Sequence, residues 1–258
     1  MSDAVVELRE GGSLWLTFDR PKARNAMTFE MYDVLEQTAR RANDDPAVTA
    51  LVVTGAGGAF VAGTDIGQFA DFRTAEQAYA YEERMDRVLG ALDAVRKPTI
   101  AAIAGATTGG GLAIAAACDL RIATARATFG MPIARTLGNC LSLGNLARLA
   151  SLIGVARVKE LIFTARIIAA DEAKDLGLVS EIVADERALR TRVDELTRAM
   201  STHAPLTLWA TKEGLRRIRE RMLPGEGRDL VALCYTSEDF REGVRAFIEK
   251  RRPVWRGK

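Results

Sequence analysis

The chain has 258 residues, of which 48% are hydrophobic, 27% charged and 6% aromatic. This balance excludes a disordered or collagen-like chain, and a chain this long buries enough surface to fold without metal or disulfide staples. The 36 basic and 34 acidic residues leave a formal charge of +2, which gives no support to a nucleic-acid binder with a basic excess on one face.

In chain order, Ser13 to Phe18 is a short apolar run that predicts a strand. The turn-forming segment Asp19 to Asn25 follows, and Met31, Val34, Leu35 and Ala39 then mark one face of a helix over 28–43. Ala50 to Thr54 predicts a strand buried on both faces. Thr74-Ala75-Glu76-Gln77 matches a capping box that opens a long helix reaching Val95, ended by Lys97-Pro98. Thr99 to Ile103 predicts the next strand, Gly109 to Ala117 a helix rich in small residues, and Asp119 to Ala123 a further strand. Strands alternating with helices predict an α/β core with mostly parallel pairing. Beyond Gly144 the pattern is mainly helical, with a short helix over 171–176, a strand over 178–183, a long amphipathic helix over 186–200 and two more helices. A boundary near residue 200 divides an α/β core, 1–200, from a helical region, 201–258.

Cys118, Cys140 and Cys234 are widely spaced with no CxxC pair, and His203 is the only histidine. Neither a zinc site nor a disulfide framework is expected, and a Ser-His-Asp triad would have to use His203 alone. His203 reads instead as a hinge or packing residue, and Trp15, Met27 and Met31 as core. Met1-Ser2-Asp3-Ala4 lacks the basic and apolar segments of a signal peptide. Thr99 to Cys118 is broken by glycines, so it reads as buried core rather than a membrane span. The expectation is a reduced, cytoplasmic setting.

Two glycine-containing loops carry the chemistry: Gly57 to Ile66, and Gly105 to Ala113 with its triplet Gly109-Gly110-Gly111. The first residues of a helix leave N–H groups free, and glycine lets a ligand approach them. One such N–H from each loop can converge on a developing oxyanion, each contributing roughly 3–4 kcal/mol. The plain alternative is that these glycines only permit tight turns and close helix–strand packing. The triplet is neither a Walker A loop nor a good GxGxxG match.

Phe60-Val61-Ala62-Gly63-Thr64-Asp65-Ile66 resembles the F-x-A-G-x-D-L/I segment of the enoyl-CoA hydratase/isomerase (crotonase) family. Lys97 to Ile103 with Gly105 and Gly109–Gly111 resembles its KPxIAAVxGxAxGGG segment, and Asp119 to Ala123 the stretch just beyond. Arg20 to Ala26 is similar to the RPxxxNA turn, and Glu242 to Arg251 to the EGxxAFxEKR ending. The resemblance runs in order from about residue 5 to the C-terminus. It implies a crotonase-like spiral of ββα units, with a helical C-terminal region that forms trimers or hexamers, acting on acyl-CoA thioesters. No separate cofactor is implied, since coenzyme A is part of the substrate.

By position, the resemblance makes the backbone N–H groups of Thr64 and Gly110 the oxyanion hole. Ala62, with Asp65, Ile66 and Gly109 beside it, would contact the substrate, the Lys22-Ala23-Arg24 turn would line the CoA groove, and Lys250 would reach CoA phosphates. The departures are specific. Family hydratases carry two catalytic glutamates, at positions occupied here by Ala113 and Ile133, and neither side chain can transfer a proton. Glu83 and Asp86 on the 74–95 helix are the acid/base candidates, a solvated helix face being the plain alternative. Arg135 is a candidate to bind a second carboxylate on the acyl group. Isomerase, decarboxylase or thioesterase chemistry, or acyl-CoA binding without catalysis, remain open at this stage.

Overall fold

The computed structural model describes residues 3–70, 72–221 and 227–257. The chain forms β1 (Ala4–Leu8), β2 (Ser13–Phe18), a 3-10 turn (Pro21–Ala23), α1 (Phe29–Asp44), β3 (Ala50–Gly55), β4 (Val61–Ala62), a second 3-10 turn (Ile66–Phe69) and α2 (Ala75–Asp93). It continues as β5 (Thr99–Ile103), β6 (Ala106–Thr108), α3 (Gly110–Ala117), β7 (Leu120–Thr124), β8 (Thr128–Gly130), α4 (Ile133–Thr136) and α5 (Leu143–Thr164). Then come β9 (Ile167–Ala169), α6 (Ala170–Asp175), β10 (Glu181–Val183), α7 (Glu186–Ser201), α8 (Pro205–Arg221), α9 (Arg228–Tyr235) and α10 (Glu238–Ile248).

The strands build two sheets. The larger has the order β1-β2-β3-β5-β7-β10, and the smaller β4-β6-β8-β9. Only β1–β2 and β8–β9 pair antiparallel. The units β3–β4–α2, β5–β6–α3 and β7–β8–α4 each put one strand in the large sheet and the next in the small one before a helix returns. That repeated step is the spiral of ββα units.

Period-two alternation assigns the faces of the large sheet. Leu14, Leu16, Leu51 and Val53 join the main core with Met27 and Met31, whereas Trp15, Val52 and Ile100 pack against Leu189 and Val193 of α7. The capping box at Thr74 forms, with Gln77 N–H donating to Thr74 Oγ1 at 3.4 Å and Thr74 N–H to Gln77 Oε1 at 3.1 Å.

The C-terminal region holds three helices among the described residues where two are expected, and they do not form a separate layer. α8 buries none of its residues. α9 packs on α2, and α10 on α4 and the Ile66–Phe69 turn. Aromatic rings join these pieces, with Phe69–Tyr81 centroids 4.9 Å apart and Tyr235–Phe240 centroids 4.8 Å apart. His203 is exposed in the turn between α7 and α8, so it serves the turn and not the packing. No described helix is long and apolar enough to cross a membrane.

Candidate active site

The Arg20–Ala26 turn fixes the first glycine loop. Asn25 is fully buried in a left-handed conformation (φ 58°). Its amide nitrogen donates to the carbonyls of Ala56, Ala59 and Phe60 at 2.9, 3.1 and 3.2 Å, while its oxygen accepts from Arg20 N–H at 2.8 Å. One side chain thus satisfies four buried or half-buried backbone groups on two loops, an arrangement that an aliphatic residue would leave unpaired. Further on, Ala62 N–H donates to Arg24 C=O at 3.0 Å, Met27 N–H to Gly63 C=O at 2.9 Å and Asp65 N–H to Met27 C=O at 2.8 Å. This parallel bridge uses the groups on either side of Thr64 and leaves the Thr64 N–H out of it, and Thr64 lines a cavity of about 280 Å³.

Gly110, the first residue of α3, faces the same cavity. Its N–H is one of the donors a helix start leaves unpaired. A Cβ built on Gly110 would lie 3.6 Å from Thr64 N and 2.4 Å from Tyr32 Oη, so only glycine keeps this approach open. Gly111 is held as tightly, since a Cβ there would meet Val61 C=O at 2.0 Å. Neither the Thr64 nor the Gly110 amide has a protein acceptor among the described residues. The Thr64 hydroxyl is fixed by Tyr32 Oη at 2.8 Å and Tyr81 Oη at 3.3 Å. Burial pushes the Tyr32 phenol up to about 12, so it stays a neutral hydrogen-bonding group.

α2 forms the opposite wall through Tyr81, Glu82, Met85 and Leu89. Glu82 is buried, and among the described residues it is the sole carboxyl lining the cavity. Tyr235 Oη donates to Glu82 Oε1 at 2.5 Å, and Asn139 Nδ2 donates to Tyr235 Oη at 3.2 Å. Burial pushes the Glu82 carboxyl up to about 7, helped by the nearby Asp86 and opposed by the Tyr235 hydroxyl and the Ser142 main chain. Asn139 Oδ1 is buried with no hydrogen-bond partner among the described residues. Cys140 also lines the cavity; it and Cys234 are free thiols, and contact with Cys234 and burial both raise Cys140.

The structure sorts the expected site residues. Thr64, Gly110, Gly109, Ala62, Ile66 and Arg24 line the cavity, as do Ala113 and Ile133. Glu83 and Asp86, the acid/base candidates, lie outside that lining. Glu83 points outward, 59% exposed, to an ion pair with Arg228, and Asp86 accepts from Ser142 Oγ at 2.6 Å at the start of α5. The turn of α2, about 100° per residue, brings Glu82 inward instead. Asp65 caps the Ile66–Phe69 turn by accepting from Gly67 N–H at 3.1 Å, and pairs with Arg20 at 2.7 Å. It is structural. Lys22, Arg135 and Lys250 are exposed and lie outside the cavity lining, as does the half-buried Ala23. Among the described residues, no group of three His, Cys, Asp or Glu is placed to hold a metal ion.

A family model described as enoyl-CoA hydratase/isomerase matches residues 9–258. The chain is 36% identical over 242 residues to a crotonyl-CoA hydratase of Syntrophomonas wolfei, covering 92% of each. It is 32% identical to a 2,3-dehydroadipyl-CoA hydratase of Escherichia coli over 100% of both chains. A solved methylmalonyl-CoA decarboxylase in complex with 2-nitronate-propionyl-CoA superposes with a TM-score of 0.89 at 27% identity, covering 100% of this chain and 99% of that one.

Proposed function

The chain belongs to the enoyl-CoA hydratase/isomerase family, and on that premise we propose that it activates an acyl-CoA thioester by gripping the thioester oxygen between the Thr64 and Gly110 amides. The observation that carries this reading is the pair of amides on two residues that line one cavity, each without a protein acceptor among the described residues. As negative charge moves onto the oxygen in forming an enolate, both hydrogen bonds strengthen. In a dry, preorganised site each donor contributes roughly 3–4 kcal/mol more to the transition state than to the ground state.

The rest of the cavity suits the same substrate class. Apolar Ala113, Met131, Ile133 and Leu137 offer room for an acyl chain, while Arg24 at the exposed edge gives the anionic CoA end a cation. The familiar two-carboxylate hydration scheme has no support at Ala113 and Ile133, so the reaction class turns on which other group moves protons.

Infrared difference spectroscopy of butanoyl-CoA labelled with ¹³C at the carbonyl tests the grip. The bound carbonyl stretch is expected below its frequency in water. A bound thioester whose stretch stays at the water value overturns the reading. Gly110→Pro does not isolate the donor, because its added Cβ would collide with Tyr32 Oη.

A further inference from the structure

We propose that Glu82, reaching into the cavity from α2, is the proton-transfer residue of this site, with Tyr235 and Asn139 as its positioning residues. The inference rests on the enolate reading above and adds to it the group that takes the proton.

An enolate forms when a base removes the proton on the carbon next to the thioester carbonyl. That base must be in the cavity that holds the carbonyl, and among the described residues Glu82 is the only carboxyl there. The other polar side chains of the wall are poor bases. Tyr32 and Tyr81 are phenols held neutral by burial, and Cys140 is a thiol raised by Cys234. Arg24 carries a fixed positive charge.

Glu82 is also held for the task. Tyr235 occupies one carboxyl oxygen and is itself fixed by Asn139. These are two separate segments, the loop before α5 and the helix α9, converging on one side chain. A purely structural buried glutamate would be expected to meet a cation. The groups facing Glu82 are Tyr235 on α9, Tyr32 on α1, Cys140 on the loop, and Tyr81 and Asp86 on its own helix, none of them a cation. Its carboxyl, balanced near neutrality, can both accept a proton and return it.

The step balances within the site. The Glu82 carboxylate takes the α-proton, the C–H electron pair becomes the enolate C=C, and the carbonyl π pair moves to oxygen under the Thr64 and Gly110 amides. Return of the proton to the α-carbon gives exchange; return to the γ-carbon of an enoyl chain gives double-bond migration. Neither outcome needs a second carboxylate or a further reactant. A one-carboxyl proton shuttle on an acyl-CoA is therefore the reaction class this cavity fits.

Deuterium incorporation at the α-carbon of butanoyl-CoA in D₂O reads the step directly. Wild type is expected to exchange, with a rate that rises with pH through about 7. Glu82→Gln, nearly the same shape, is expected to lose about 10²-fold or more and the pH dependence with it, while calorimetric binding and the infrared carbonyl shift persist. Exchange in Glu82→Gln at the wild-type rate, or a wild type that shifts the carbonyl yet exchanges nothing, overturns the role of Glu82 and leaves the amide grip standing. Loss of the carbonyl shift in wild type removes the grip and this proposal together.

Discussion

Glu82 on α2 and Glu242 on α10 expose only 8% and 9% of their surfaces, yet their surroundings treat charge in opposite ways. Glu82 is enclosed by tyrosines and apolar side chains, and burial raises it to about 7. Glu242 is covered by the guanidinium groups that bind it. Arg251 grips both oxygens, at 2.5 and 3.0 Å, Arg245 adds a third contact, and Val254 N–H donates at 3.0 Å. Those arginines hold its carboxyl far below the usual range. How hidden a carboxyl is does not decide its charge; what hides it does. The first arrangement leaves a carboxyl free to exchange protons, and the second makes a clamp that fastens the tail to α10.

The largest test of this contrast is thermodynamic, since one substitution should act with opposite pH dependence at the two sites. Folded Glu82 at about 7 binds more protons than its unfolded form near 4.5, so wild-type stability falls as pH rises between those values. Glutamine does not titrate. Relative to wild type, Glu82→Gln should therefore gain up to about 3 kcal/mol between pH 4.5 and pH 8, measured by denaturant unfolding. A flat difference across that range would mean the carboxyl is ionised in the fold at all these pH values.

Glu242→Gln should behave the other way. Its folded carboxyl is depressed, so its stabilising effect is present above pH 4.5 and disappears as pH falls through the folded value. The variant should be less stable than wild type at pH 7, with the gap narrowing under acid conditions. Hydrogen exchange should locate the loosening in α10 and residues 249–257. A gap that widens in acid would contradict the clamp.

The two glutamates also differ in how far the sequence betrays them. Glu242, Gly243 and Arg251 belong to a tail motif whose purpose is now physical: the acid grips the arginine, and a Cβ on Gly243 would come within 2.6 Å of Leu137 C=O. Lys250 in the same motif stands exposed at φ 55°, just past the helix. Thr64 and Gly110, both of which line the cavity, stand out in the sequence because each sits in a glycine loop that local chemistry shapes. Glu82 stands beside Glu83 and Asp86, the acids that the sequence singles out, and is less conspicuous there. Its mark lay in the spacing, as the one acid in the stripe Ala78, Glu82, Met85, Leu89, Leu92 that α2 turns inward. Asn139 and Tyr235 gave no such mark, since only the fold brings them together. Likewise β3, β5 and β7 were readable as apolar runs, whereas β4, β6, β8 and β9 have two or three residues each, too few to show a period.

The smallest expected effect sharpens the contrast most, because it moves Glu82 without removing it. Tyr235→Phe deletes the hydroxyl that donates to Glu82 Oε1 and leaves the aromatic packing in place. That hydrogen bond favours the carboxylate, so its loss should raise the Glu82 midpoint further, by about one pH unit for a charge-assisted bond. The α-exchange profile should shift toward higher pH by that amount. The rate at pH 7 should drop several-fold, then recover at about pH 9, where the carboxyl is again ionised. A structural defect in the cavity would lower the rate at every pH alike. Such a uniform loss would make Tyr235 a packing residue, whereas a displaced midpoint with an unchanged plateau identifies it as the group that sets when Glu82 gives up its proton.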